Sequence, residues 1–145
     1  MEFRSVKLFR NWDGSGGPSR MSSGDLDGDG DLDLVLPGNG IFEPDFFWFE
    51  NIGGRLFQHR LYGTFRGVRN VRVADVAGDG DLDLLVTIGE NITGDEQLLW
   101  FENRGSKGCV TWLISDVLTS PYAVVAAYLN RSRHLAGALS GSVNN

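Results

Sequence analysis

Five aspartates stand on alternate residues in Asp25-Leu26-Asp27-Gly28-Asp29-Gly30-Asp31-Leu32-Asp33, with glycines between several of them. Each close pair of like charges costs from about 1 kcal/mol in water to about 4 kcal/mol at the effective dielectric of a protein surface. A folded chain holding such a loop therefore calls for a cation. Oxygen ligands on a flexible loop suit Ca²⁺, which takes six to eight of them, better than Mg²⁺ with its tight octahedron. Zinc is disfavoured because neither His nor Cys lies nearby.

The spacing narrows the local geometry. With Asp25 as first position, side-chain oxygens fall at the first, third, fifth and ninth places: Asp25, Asp27, Asp29 and Asp33. Gly30 holds the sixth place, where a sharp turn needs a residue without Cβ. Asp31, the seventh, would offer its backbone carbonyl and turn its side chain to solvent. The first half of an EF-hand loop reads the same way, but that loop closes on a Glu at its twelfth position, which here is Leu36. The loop instead runs straight into Leu34-Val35-Leu36, the pattern of a loop feeding a strand.

The loop then returns. Asp75-Val76-Ala77-Gly78-Asp79-Gly80-Asp81-Leu82-Asp83 begins 50 residues after Asp25. A second word, Trp48-Phe49-Glu50-Asn51, returns as Trp100-Phe101-Glu102-Asn103 at an offset of 52, which places a two-residue insertion in the loop around 91–96. Two words recurring in order at this period indicate stacked repeats, such as solenoid coils or propeller blades.

Each unit reads as four short strands. In the second these are Val71-Arg72-Val73-Ala74, Leu84-Leu85-Val86-Thr87-Ile88, Gln97-Leu98-Leu99-Trp100-Phe101-Glu102 and Val110-Thr111-Trp112-Leu113-Ile114. In the first, Leu34-Val35-Leu36, Phe46-Phe47-Trp48-Phe49-Glu50 and the segment around 56–61 correspond, with a turn at Asn51-Ile52-Gly53-Gly54. Val6-Lys7-Leu8-Phe9 reads as the last strand of a preceding unit, and the Gly/Ser-rich stretch 13–24 as a poorly specified lead-in. For the third unit two readings compete. Aligning Ala127-Tyr128-Leu129 on Ala74-Asp75-Val76 puts Tyr128, Asn130, Ser132, His134 and Ala136 at the ligand positions, a degenerate repeat unable to hold calcium. Alternatively, Ser120-Pro121 starts a helix through residues 126–139, with Gly141 beyond it.

These residues together resemble the FG-GAP/VCBS repeat, the blade unit of integrin-α-like β-propellers, over roughly 21–139. The resemblance implies an all-β fold: a partial β-propeller of about two and a half to three four-stranded antiparallel blades in one domain, 1–145. Repeat 1 covers about 5–61, repeat 2 about 62–114 and a degenerate, truncated repeat 3 about 115–145. It implies two Ca²⁺ sites, the first using the Asp25, Asp27, Asp29 and Asp33 side chains with the Asp31 carbonyl. The second would use Asp75, Asp79 and Asp83 with the Asp81 carbonyl. Ala77 removes one carboxylate from the second loop, so the first site is expected to bind more tightly. Propellers close with about four to eight blades, so self-association or the remaining blades of a longer chain is expected.

A chain of 145 residues, 41% hydrophobic, with 20 Gly and 4 Pro, has the composition of a turn-rich β domain. A net charge of -6 argues against a nucleic-acid partner. No run is long enough to insert in a membrane, and the amino end lacks an apolar stretch of signal-peptide length. Cys109, the lone cysteine, reads as a small buried side chain in a strand. Trp48, Phe49, Trp100 and Phe101 read as core or inter-blade packing, and Arg55, Arg60, Arg66, Arg69 and Arg72 as an ordinary charged face. His59 and His134 have no nucleophile or carboxylate partner in a recognisable motif, so no catalytic residue is expected. Asn91-Ile92-Thr93 has the form of a glycosylation sequon. The resemblance implies an extracellular or cell-surface, non-enzymatic scaffold for adhesion or for a protein or glycan ligand. The competing readings are an accessory propeller of a carbohydrate-active enzyme of polysaccharide lyase type and a truncated product with no independent function.

Overall fold

The computed structural model describes residues 20–37, 46–60, 67–89, 96–116, 121–128 and 135–141. Among them lie ten strands, a single 3-10 turn at Gly105–Lys107 and no α-helix. Strands β1 (Ser22–Gly24), β2 (Asp33–Pro37), β3 (Phe46–Ile52) and β4 (Arg55–Arg60) form one antiparallel sheet in chain order. Strands β5 (Val68–Ala74), β6 (Asp83–Ile88), β7 (Gln97–Asn103) and β8 (Cys109–Ser115) form a second sheet of the same design. Strands β9 (Pro121–Tyr128) and β10 (Leu135–Gly141) make an antiparallel hairpin.

The two full sheets share their register. Gly24 pairs with Asp33 and Ala74 with Asp83, closing each acidic loop at its ninth position. Leu34 pairs with Phe49 and Leu84 with Phe101, so the two-residue insertion falls in the β6–β7 connection. The hairpin follows the same rule: Ala127 pairs with Ala136, the equivalents of Ala74 and Asp83. Strands at Pro121–Tyr128 and Leu135–Gly141 overturn the alternative helix through residues 126–139 at the residues described there. Tyr122, Val124, Val125 and Tyr128 favour the strand, and Pro121–Tyr128 pairs across the hairpin despite its helix-favouring alanines.

Side chains alternate between the faces of the central sheet and bury both. Val71, Leu84, Val86, Ile88, Leu99 and Phe101 cluster with Val35 of the first sheet, and Leu26, Trp48, Val68 and Val73 pack around them. The opposite face sets Leu85 and Leu98 against Val124 of β9, flanked by Val76, Trp100 and Ala126. Strand β6 is buried throughout, which explains its near-continuous apolar sequence. The sheets thus stack in chain order, first on second and second on hairpin.

Strand β1 was not expected, because Ser-Ser-Gly carries little strand propensity. It is held from outside its own sheet: Val73 N–H donates to Ser22 Oγ at 3.1 Å. Gly24 is buried so tightly that a Cβ would lie 2.6 Å from Val73 Cγ1 and 2.8 Å from Leu82 Cδ1. Cys109 corrects another expectation. It lies in a strand, but β8 is an edge strand with most of its residues exposed, and the thiol is free and exposed. The segment 6–9, the sequon at Asn91, and Asn130, Ser132 and His134 lie outside the described residues, as do the side chains of Arg60 and Arg66.

Candidate metal centre

Both acidic loops fold by the same backbone logic. Asp25 accepts from Gly28 N at 2.8 Å through Oδ1 and from Gly30 N at 3.0 Å through Oδ2. Asp75 does the same for Gly78 N at 2.6 Å, Asp79 N at 3.1 Å and Gly80 N at 3.3 Å. The wrapping needs left-handed backbone at the sixth position, where Gly30 has φ 93° and Gly80 φ 99°. Asp27 accepts from Asp29 N at 3.2 Å and Asp29 from Asp31 N at 2.8 Å, so successive carboxylates turn toward one side of the loop.

In the first loop, Asp25, Asp27 and Asp29 bring carboxylate oxygens within 4.8 Å of one another, with Asp25 half-buried and the other two exposed. Loss of hydration pushes the Asp27 carboxyl above its ordinary range, and the charges of Asp29, Asp33 and Glu50 add to this. The Asp29 N–H opposes the shift. An ionised carboxylate has about four lone-pair sites, so oxygens that already accept one N–H can still ligate a cation. Three hard oxygen donors from one turn fit Ca²⁺ by chemistry and by convergence. The second loop carries Ala77 at the place of Asp27, and no group of three forms there among the described residues.

Asp33 and Asp83 have a different setting. Both are fully buried. Asp33 accepts from Leu26 N at 3.1 Å and from Asn51 N at 2.8 Å. Asp83 accepts from Val76 N at 2.9 Å, Ala77 N at 3.1 Å and Asn103 N at 2.8 Å. Burial pushes the Asp83 carboxyl above its ordinary range, opposed by the backbone N–H groups of Asn103, Ala77 and Val76. These two residues tie the ends of each loop to the start of the following strand and to the third strand of the sheet. Asp31 does not turn its side chain freely to solvent, since its Oδ2 accepts from Gly53 N at 3.0 Å in the β3–β4 turn. Asp81 is exposed and donates its N–H to Asp79 Oδ1 at 3.1 Å.

The repeated Trp-Phe-Glu-Asn word supplies residues that sequence reading assigned no site role. Asn51 donates through Nδ2 to Leu32 O at 3.2 Å and accepts Gly54 N at 2.9 Å. Asn103 donates to Leu82 O at 3.2 Å and accepts Gly105 N at 3.0 Å. The recurrence of the word was the available signal. Glu50 and Glu102 also act alike. Glu50 Oε2 meets His59 Nε2 at 2.6 Å, and Glu102 Oε2 accepts Trp112 Nε1 at 2.7 Å and Arg104 Nη2 at 2.8 Å. His59 stacks on Trp48 with ring centroids 4.8 Å apart, as Trp112 stacks on Trp100 at 6.2 Å. His59 therefore does have a carboxylate partner, made by cross-strand pairing. The match to Trp112 gives it a packing role.

Among the described residues no helix is long and apolar enough to cross a membrane. No curated protein and no solved structure matches the chain. The family model for the FG-GAP-like repeat matches residues 25–86, from the first aspartate of the first loop to the middle of β6. Across that stretch, which includes both acidic loops, the chain is similar to an FG-GAP-like repeat.

Proposed function

We propose that the chain is a calcium-stabilised, non-catalytic scaffold of β-propeller type, which works outside the cell and presents its loops to a protein or glycan ligand. The carrying observation is the convergence of Asp25, Asp27 and Asp29 within 4.8 Å, in a loop whose pattern returns 50 residues later with Ala77 in place of Asp27. The ion's part is structural: it neutralises carboxylates that otherwise repel and fastens the loop between two strands. Weak sites of this kind fill where free calcium is high, which supports an extracellular setting. The His59–Glu50 pair packs on Trp48 as Trp112 packs on Trp100, and this packing role favours binding over the lyase-associated reading.

Calorimetry combined with thermal melting tests this. A ligand at about 100 times its Kd stabilises the native state by about 2.7 kcal/mol. For a domain of this size that corresponds to a rise in Tm of about 5–10 °C between EDTA and excess Ca²⁺. Titration should show a tighter and a weaker phase, with Asp25→Ala abolishing the tighter one. Equal melting temperatures with and without the ion would refute the calcium role. Survival of the tighter phase in Asp25→Ala would assign it to the second loop.

A further inference from the structure

Asn103 belongs to the third strand of the second sheet, yet one of its hydrogen bonds leaves that sheet. Its Nδ2 donates to Leu26 O at 2.8 Å as well as to Leu82 O at 3.2 Å, spanning both acidic loops with one amide group. Leu26 sits between Asp25 and Asp27. Its N–H is held by Asp33 Oδ2 at 3.1 Å, its carbonyl by Asn103, and its side chain packs in the core between the two sheets. The second loop repeats part of this plan: Val76, also second in its loop, gives its N–H to Asp83 and its side chain to the core against Val124 of the hairpin.

We infer that the first calcium loop is assembled by two repeats, with Asn103 as a positioning residue that fixes the Asp25-Leu26-Asp27 backbone for the ion. The inference rests on the calcium reading above and adds that the site's affinity depends on the neighbouring sheet. The peptide between Leu26 and Asp27 carries the Asn103-bound carbonyl, so freeing it frees the direction from which Asp27 approaches. Loss of one such hydrogen bond is expected to weaken calcium at the first loop about five- to tenfold. Asn103 should act without touching the ion.

Calcium titration of the full chain, followed by NMR at the Gly30 and Gly80 amides, reads the two loops separately. In Asn103→Ala the Gly30 midpoint should move about five- to tenfold to higher calcium, while Arg104→Ala, a neighbouring surface change, leaves it in place. Should Asn103→Ala fail to fold, Asn103→Ser reads the same quantity, because it keeps an oxygen near Gly105 N on a side chain shorter by one group. A purely structural role for Asn103 would lower the melting temperature in EDTA without moving the Gly30 midpoint, and that result overturns the inference while leaving calcium binding intact. A wild-type chain whose Gly30 amide does not respond to calcium overturns both.

Discussion

Asp83→Ala should lower stability by about 3 kcal/mol, and Tm by about 10 °C, when measured in EDTA so that no ion contributes. The carboxylate accepts the N–H groups of Val76, Ala77 and Asn103, and the side chain is fully buried. Alanine leaves the Val76 and Asn103 donors without a partner in partly buried surroundings, at about 1–3 kcal/mol each, while exposed Ala77 can turn to water. Asp33→Ala removes two donors' partner and should cost somewhat less. Asp79→Ala, on the exposed rim, should change little. The raised pKa of Asp83 adds a pH dependence with a definite sign: the ion-free fold favours its protonated form. That contribution is present below the ordinary carboxylate pKa and is lost as pH rises through the raised value. Chemical denaturation of the three variants checks the ranking. An Asp83→Ala chain as stable as Asp79→Ala would show that the buried carboxylate is not what closes the loop.

Gly24→Val should destabilise by about 1–3 kcal/mol through overpacking, and Val73→Ala in the same chain should recover part of the loss. A Cβ at position 24 would sit 2.6 Å from Val73 Cγ1, closer than real Cβ contacts come. Leu82 can swing its end away, but Val73 is β-branched and stiff at χ1, so the sheets must part. Separation would also stretch the bond from Val73 N to Ser22 Oγ. A double-mutant cycle by urea unfolding measures the coupling, and strictly additive effects would place the strain elsewhere. The second repeat has Ala74 at the corresponding position. The requirement for glycine therefore belongs to the contact between the first two sheets and not to the loop itself.

The periodic parts of this fold were legible because they are local. Two acidic words and two Trp-Phe-Glu-Asn words set the loops, the strand order and the insertion, and the registers Gly24↔Asp33 and Ala74↔Asp83 agree with that reading. The illegible parts are all relations between repeats. Ser22–Gly24 pairs with β2 and is also held by the second sheet lying against it. Asn103 reaches a residue 77 positions away, which no single-unit pattern encodes. Glu50 meets His59 because β3 and β4 pair Trp48 with His59, a register fixed by the turn. Cys109 lies in an apolar run that sequence alone cannot separate from a buried strand, and its place at a sheet edge decides the outcome. Phe49 and Phe101 lie in the core, and Trp48 and Trp100, half-buried, pack on the clusters that join neighbouring sheets, in keeping with core or inter-blade packing.

The hairpin β9–β10 keeps the pairing of Ala127 with Ala136 although alanine stands where the first two units have aspartate. Strand pairing there cannot depend on the buried carboxylate, so connection length and apolar pattern suffice to set it. The hairpin's seat against Leu85 and Leu98 is thus made without a buried carboxylate at its loop, so packing between sheets and ion affinity are physically separable properties of this fold.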